Sequence, residues 1–187
     1  MSRGIIIFGA PGSGQTSIGR ELAMQLGFTH IDLDDYHWRW DTEIPYTIFR
    51  PAEERIEHLI HDLSDCDFFL MSGSMWSMRK IFEPLFDMAV LVTVPAEIRA
   101  ERIRLRETNR WGNRILPGGD MYETNKDYSK DWLERALEYD TAEPSQFGLK
   151  QHEQWINELT CPVLRIDGTK NIMESAEIIA AEYSKLL

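Results

Sequence analysis

The 187-residue sequence predicts an α/β fold, a five-stranded parallel sheet between two layers of helices, in a single domain spanning residues 1–187. Three observations predict it. Short apolar runs recur along the chain, as strands buried on both faces require. Amphipathic helical patterns separate those runs, and strands alternating with helices favour a parallel, doubly wound sheet. The length suits one domain with a real core and is short for two.

The elements follow in order. Ile5, Ile6, Ile7 and Phe8 form an apolar run bounded by glycine, the pattern of a central strand. A glycine-rich loop over residues 9–16 follows directly. From Thr16 the residues Ile18, Leu22, Ala23 and Leu26 share one helical face, and Gly27 stops the helix. Residues 28–33 alternate as a second strand and deliver Asp32, Asp34 and Asp35 at its carboxyl end, where ligands sit in open α/β sheets. Residues 36–50, rich in aromatics and poor in periodicity, read as an irregular connection. Pro51 opens the next helix, with Glu53 and Glu54 in the first turn and Ile56, Leu59, Ile60 and Leu63 as its buried face.

Residues 68–71 give a third strand that ends in Ser72, Gly73 and Ser74, and residues 89–94 give a fourth, halted by Pro95. A long helix from about Ala96 carries Arg99, Arg102, Arg104, Arg106, Arg110 and Arg114. Residues 111–121, with Pro117, Gly118 and Gly119, interrupt it, which predicts a mobile flap over approximately 106–122. Helical patterns resume over 132–139 and 151–159. Residues 162–166 form the fifth strand, ending at Asp167 and Gly168, and a helix over 172–186 closes the chain. There is no internal repeat and no low-complexity tract.

Composition narrows the function classes. A hydrophobic fraction of 43% with 27% charged residues is ordinary for a soluble protein, and no apolar run approaches the ~20 residues of a membrane span. Cys66 and Cys161 lack metal-ligand spacing and read as small buried hydrophobes in a reducing compartment, so a cytoplasmic protein is expected. With 31 acidic against 20 basic residues the net charge is −11, which disfavours nucleic acid as a partner. The arginines between 99 and 114 are the exception, readable as a phosphate-holding cluster or as a solvated helix face. Nothing in the sequence specifies an oligomeric state.

The chemistry concentrates in the first loop. Gly9, Ala10, Pro11, Gly12, Ser13, Gly14, Gln15 and Thr16 match the phosphate-loop pattern GxxxxGK[ST] at every defined position except Gln15, which stands where lysine is usual. Glycines let successive N–H groups turn inward, and the following helix start, at Thr16 and Ser17, adds its partial positive charge to that anion site. Thr16 can offer its hydroxyl to Mg²⁺. The bland alternative is a glycine-rich strand-to-helix turn that binds nothing.

On these residues the chain resembles the P-loop small-molecule kinases, the adenylate kinase and shikimate kinase relatives, and in particular bacterial adenylate-kinase-like ATPases. The resemblance spans nearly the whole chain: the loop, HIDLDD, RPAEER, the SGS turn, RETNRWGNRILPGGDMY and CPVLRIDG. It implies a P-loop NTPase three-layer sandwich that uses ATP and Mg²⁺ on a small-molecule acceptor. Asp32 then supports Mg²⁺, Asp34 contacts the acceptor hydroxyl, and Gly73 and Ser74 border the acceptor. Arg106, Arg110 and Arg114 clamp the transferring phosphates, while Gly168 and Thr169 form the adenine-side loop.

Other readings stay open beside these. Asp34 serves either as a general base toward the acceptor or as a helix cap or Asx-turn residue. Arg50, just before a helix start, meets an acceptor anion or forms a surface ion pair. Tyr36, Trp38, Trp40 and Trp76 wall a pocket or belong to the core, and core is favoured for at least two of them. His58 and His61 share a helical face, are expected to be exposed and suggest no metal. Gln15 divides the functional reading, between an ATP-dependent small-molecule kinase and a nucleotide-binding sensor or partner-binding module with little turnover. Lys170 or an arginine could replace the absent lysine.

Overall fold

The computed structural model describes residues 3–42 and 47–186. In chain order the elements are β1 (Arg3–Gly9), α1 (Gln15–Leu26), β2 (Thr29–Asp32), α2 (Leu33–His37), α3 (Ala52–Ser64), β3 (Phe68–Ser72), α4 (Arg79–Phe82), β4 (Phe86–Thr93), α5 (Ala96–Trp111), α6 (Tyr122–Glu138), α7 (Leu149–Glu158), β5 (Val163–Asp167) and α8 (Ile172–Tyr183). The contacts fall into two compact units. A sheet unit comprises residues 1–8, 14–92 and 159–187, and a helical unit comprises residues 9–13 and 93–158.

In the sheet unit the five strands form one all-parallel sheet in the order β2-β3-β1-β4-β5. Ile5, Ile6, Ile7 and Phe8 have no exposed surface, as the unbroken apolar run predicts for a strand covered on both faces. The register pairs Ile7 with Ser72 and Asp32 with Ser72, so β2 and β3 end level and β1 runs on past them to Gly9. Helix α1 packs on α8 and on β3.

Several boundaries move for identifiable reasons. Strand β2 stops at Asp32 because that side chain caps α2, its Oδ1 accepting from the Asp34 N–H at 3.2 Å. The connection read as irregular therefore begins as a helix. It continues through an antiparallel bridge between Trp38 and Phe49, flanked by Arg39 N–H to Ile48 O at 2.9 Å and Arg50 N–H to His37 O at 2.8 Å. The part of that connection over residues 43–46 lies outside the described residues. Pro51 caps α3 and does not open it. The buried stripe of α3 is Arg55, Leu59 and Leu63, at intervals of one turn; Ile60, expected to be buried, is rotated off it and is 51% exposed.

Strand β4 starts at Phe86, ahead of the apolar run, because Asp87 is anchored within it by the Arg3 guanidinium and the Tyr183 hydroxyl. None of Tyr36, Trp38, Trp40 and Trp76 is buried, against the expectation that at least two are core; Phe8, Phe69, Phe82 and Phe86 fill that role. Cys66 and Cys161 are free and half-buried, less enclosed than expected. No helix among the described residues is long and apolar enough to cross a membrane.

In the helical unit α5 packs on α6. Helix α6 begins at Tyr122, well before Trp132, so the interruption narrows to a 3₁₀ turn over Gly112–Ile115 and the turns that follow it. The first residues of the expected flap, 106–111, are still α5.

Candidate functional site

The second half of the phosphate loop belongs to the sheet unit. Gly14 caps α1 at φ 93°, a left-handed conformation that side chains disfavour. No side chain caps α1 and no acidic residue occupies its first turn. The orphan N–H groups and positive end of this 12-residue helix are thus left to an anion. Behind them the Thr16 hydroxyl is near enough to Asp32 to help lower its carboxyl, and that carboxylate also caps α2. Burial pushes the Asp32 carboxyl up, while the Asp34 N–H, Arg20 and Thr16 pull it down. A hydroxyl and a carboxylate held together are hard oxygen donors of the kind Mg²⁺ takes, so the residues present fit that ion. Asp34 is half-buried and Asp35 exposed; burial and then the Asp32 charge raise the Asp35 carboxyl.

Gln15 opens α1. Its Oε1 is buried and accepts no hydrogen bond among the described residues. Where a lysine would place an ammonium, this chain places an amide with one unsatisfied atom.

The first half of the loop belongs to the helical unit. Ser13 N–H closes a turn on Ala10 O at 3.0 Å, and the Ser13 hydroxyl is buried without a partner among the described residues. Gly12 has φ 80°, and a Cβ there would stand 2.6 Å from the Arg99 carbonyl oxygen. Arg102 Nη1 donates to Gly12 O at 3.5 Å and to Ser13 O at 3.3 Å. Holding those carbonyls on one side turns the following N–H groups to the other, since the two ends of a trans peptide point in opposite directions. Arg102 therefore shapes the cradle, a role that spacing alone did not distinguish from that of its neighbours.

The remaining arginines divide. Arg99, 2% exposed, donates to Val94 O, Ala136 O and Asp140 and is structural. Arg106 and Arg110 reach the buried Glu107 at 3.1 and 3.8 Å. Arg114 grips Asp120 at 2.8 Å on the surface and holds that carboxyl below its usual range. The three arginines expected to clamp phosphates are thus each paired with a carboxylate.

At the positions expected to border an acceptor, the Gly73 N–H donates to Ile7 O at 3.0 Å, fixing the Gly73–Ser74 turn against β1. Arg50 is tied to its own connection, with Nε to Tyr36 O at 3.2 Å, Nη2 to Trp38 O at 3.4 Å and Nη1 3.8 Å from Glu54. Arg55, missed in the sequence, lies on the buried stripe of α3. Its signal was available, because a charge in step with Leu59 and Leu63 falls on the inner face. Beyond β5 the Thr169 N–H and hydroxyl both donate to Asp167, at 2.9 and 2.7 Å, next to the buried Gly168. Lys170 is ion-paired to Glu174 one turn along, which counts against it as a substitute for the absent lysine. His58 and His61 are exposed as expected and line a cavity of about 560 Å³ with His30, Asp35, Tyr36 and Asp62. No group of three His, Cys, Asp or Glu among the described residues is placed to hold a metal on its own.

A family described as AAA domain matches residues 5–133. The protein of Bacillus subtilis (strain 168) named uncharacterized protein YqaC is 35% identical over 177 residues, covering 95% of each chain. The shikimate kinase of Acinetobacter baumannii in complex with shikimate has a similar fold, with TM-score 0.54 and 17% identity over 99% of this chain and 94% of that one. A gluconokinase of Sinorhizobium meliloti 1021 gives TM-score 0.56 and 16% identity over 98% and 93%.

Proposed function

The chain belongs to the AAA-domain family, with the fold of the P-loop small-molecule kinases, and from that premise we propose that it binds ATP with Mg²⁺ and moves the γ-phosphoryl to a small-molecule acceptor in the cytoplasm. The observation that carries the reading is the uncapped start of α1 beside Thr16 and Asp32, with Asp32 level with the end of β3. Phosphate oxygens take the N–H groups of Gly9, Gly12, Gly14 and the α1 start at Gln15, Thr16 and Ser17; Pro11 has no N–H, and Ser13, whose N–H closes the turn on Ala10 O, offers its hydroxyl. Thr16 and Asp32 hold Mg²⁺, which supplies charge neutralisation of the phosphates when bound. Asp34 accepts the proton of the acceptor hydroxyl. Gly73, Ser74 and Arg50 border the acceptor, and Gly168 and Thr169 the adenine. Arg106, Arg110 and Arg114 supply positive charge to the transferring group once exchanged from their present carboxylates. Such catalysis rests on positioning and electrostatics, for which these parts suffice.

A second reading is a nucleotide-binding module with little turnover, and the buried, unsatisfied Gln15 oxygen favours it. Its amide must turn its nitrogen to a phosphate to be useful. The two readings separate in an ADP-release screen over hydroxy acids, polyols and nucleoside monophosphates. For a kinase, one acceptor raises ADP release above the acceptor-free rate, and Asp34→Asn lowers kcat at least about a hundredfold with ATP affinity within about twofold, the scale of a lost general base. Equal losses in both would remove Asp34 from that role. ATP binding without turnover on any acceptor would leave the module.

A further inference from the structure

We infer that Glu107 is a positioning residue of α5, a buried carboxylate that competes with nucleotide phosphates for Arg106 and Arg110 and so sets how tightly the chain holds a polyphosphate. The inference rests on the nucleotide-binding reading for the competing anion and on α5 itself for the carboxylate.

Helix α5 carries two stripes at four-residue spacing. Arg99, Ile103 and Glu107 lie on its buried face, while Arg102, Arg106 and Arg110 follow one another along a neighbouring face. An acid on an inner face is unusual. Glu107 is 3% exposed, and burying an ionised carboxylate is costly unless it is paired and hydrogen-bonded. Its partners among the described residues all come from its own helix. Arg106 Nε donates to Oε1 at 3.1 Å, Arg110 Nη1 lies 3.8 Å from the same oxygen, and the Trp111 indole N–H donates to Oε2 at 3.2 Å. One negative charge thus serves two guanidiniums that would otherwise repel each other one turn apart.

The carboxylate of this trio is inside and the cations are not. The Arg106 and Arg110 side chains are 46% and 29% exposed, against 4% for Glu107, so the arginines are the members free to change partner. Their stripe starts at the phosphate loop. Arg102 donates to the carbonyls of Gly12 and Ser13, and Arg106 stands one turn beyond it, about 6 Å along the helix axis. Arg114 is a different case, because its partner Asp120 is on the surface and can be left to water at little cost. Moving Arg106 and Arg110 to phosphates instead strands a buried carboxylate. Glu107 therefore opposes that move, and by linkage bound nucleotide weakens its pairs by the factor that Glu107 takes from nucleotide affinity.

The test is calorimetric titration of the natural chain and of Glu107→Gln with MgATP at low and high salt. The amide keeps the side chain's shape and can still accept the Trp111 N–H, and only the charge is lost. Glu107→Gln is expected to bind MgATP about five- to a hundredfold more tightly, the usual range of coupling between two sites, with a gain that shrinks as salt rises. Added to a chain that already carries Arg106→Gln and Arg110→Gln, the same substitution is expected to change affinity less than about twofold, since the shared partners are gone. A Glu107 that only supports the fold leaves MgATP affinity unchanged or weaker on substitution, and either result overturns the inference while binding by the natural chain keeps the nucleotide reading. Binding by neither protein overturns both. Side-chain NMR of the unaltered chain decides the matter if a variant fails to fold. A saturating non-hydrolysable ATP analogue with Mg²⁺ is expected to shift the Arg106 Nε–Hε and Trp111 indole N–H signals together, because both groups donate to Glu107, and signals that stay in place at saturation overturn the inference.

Discussion

Arg99 in the helical unit and Arg55 in the sheet unit are both more than nine-tenths buried, and their surroundings differ in kind. Arg99 uses all three guanidinium nitrogens. Nε and Nη2 donate to Ala136 O at 3.1 and 2.6 Å, Nη1 to Val94 O at 2.6 Å, and the fork meets Asp140 at 3.2 and 2.7 Å. Arg55 has one long bond to a hydroxyl and an aromatic face. The first is a cation completed by its own chain, which is how a fold uses arginine to join a strand exit to two helices. The second is a cation left incomplete, a pattern that stability alone does not favour.

Removing each arginine should break the comparison open most widely. Arg99→Met strands the Val94 and Ala136 carbonyls and should cost about 3 kcal/mol, the scale of breaking a buried charged pair, with some relief because Asp140 is 43% exposed. Arg55→Met should cost less than about 1 kcal/mol, since an apolar group replaces an unpaired buried charge. Urea unfolding of the two variants measures both. Losses of equal size would make Arg55 a structural residue like Arg99.

A buried histidine in each unit sharpens the contrast through pH. His37 in the sheet unit and His152 in the helical unit are both pushed down to about 4, burial being the first cause. Arg55 adds to the shift at His37, whereas Glu153 opposes it at His152, where Nδ1 meets the Tyr139 hydroxyl at 2.5 Å. Their folded values lie below the unfolded 6.5, so the unfolded chain takes the proton first. Stability is therefore level above about pH 6.5 and falls between there and about pH 4, by up to ~1.4 kcal/mol per pH unit for each histidine. Asp32 and Asp35, raised by burial, offset part of the fall at its acid end. Urea midpoints taken from about pH 7.5 to about pH 4.5 should drop, and His37→Gln should flatten the slope. An unchanged slope would mean that His37 charges freely.

Much of the sheet was legible because its signals are local. The run from Ile5 to Phe8, the glycines after it and the acids after β2 each announce their role within a few residues, and the strand order follows from crossovers around them. What the sequence left unread depends on distant partners. Strand β2 and α2 meet where one aspartate side chain caps a helix, and an alternating pattern carries no sign of that choice. The arginines from 99 to 114 look alike in a row, yet Arg99 reaches Asp140, Arg102 reaches the loop carbonyls, and Arg106 and Arg110 share Glu107. Arg55 hid for a different reason: arginine is ordinarily assigned to the surface, and only its phase with Leu59 and Leu63 places it inside.

The loop that lacks its lysine gives the most direct measurement, isothermal titration of the protein and of Gln15→Lys with MgATP. The cradle, the helix end and the Thr16–Asp32 pair persist without lysine, so the natural chain should bind in the micromolar to millimolar range, about −8 to −4 kcal/mol. An ammonium hydrogen-bonded to phosphate should tighten this by roughly ten- to a hundredfold, about 1.5 to 3 kcal/mol. Binding by neither protein would contradict the assignment of residues 9–16 as a nucleotide phosphate site.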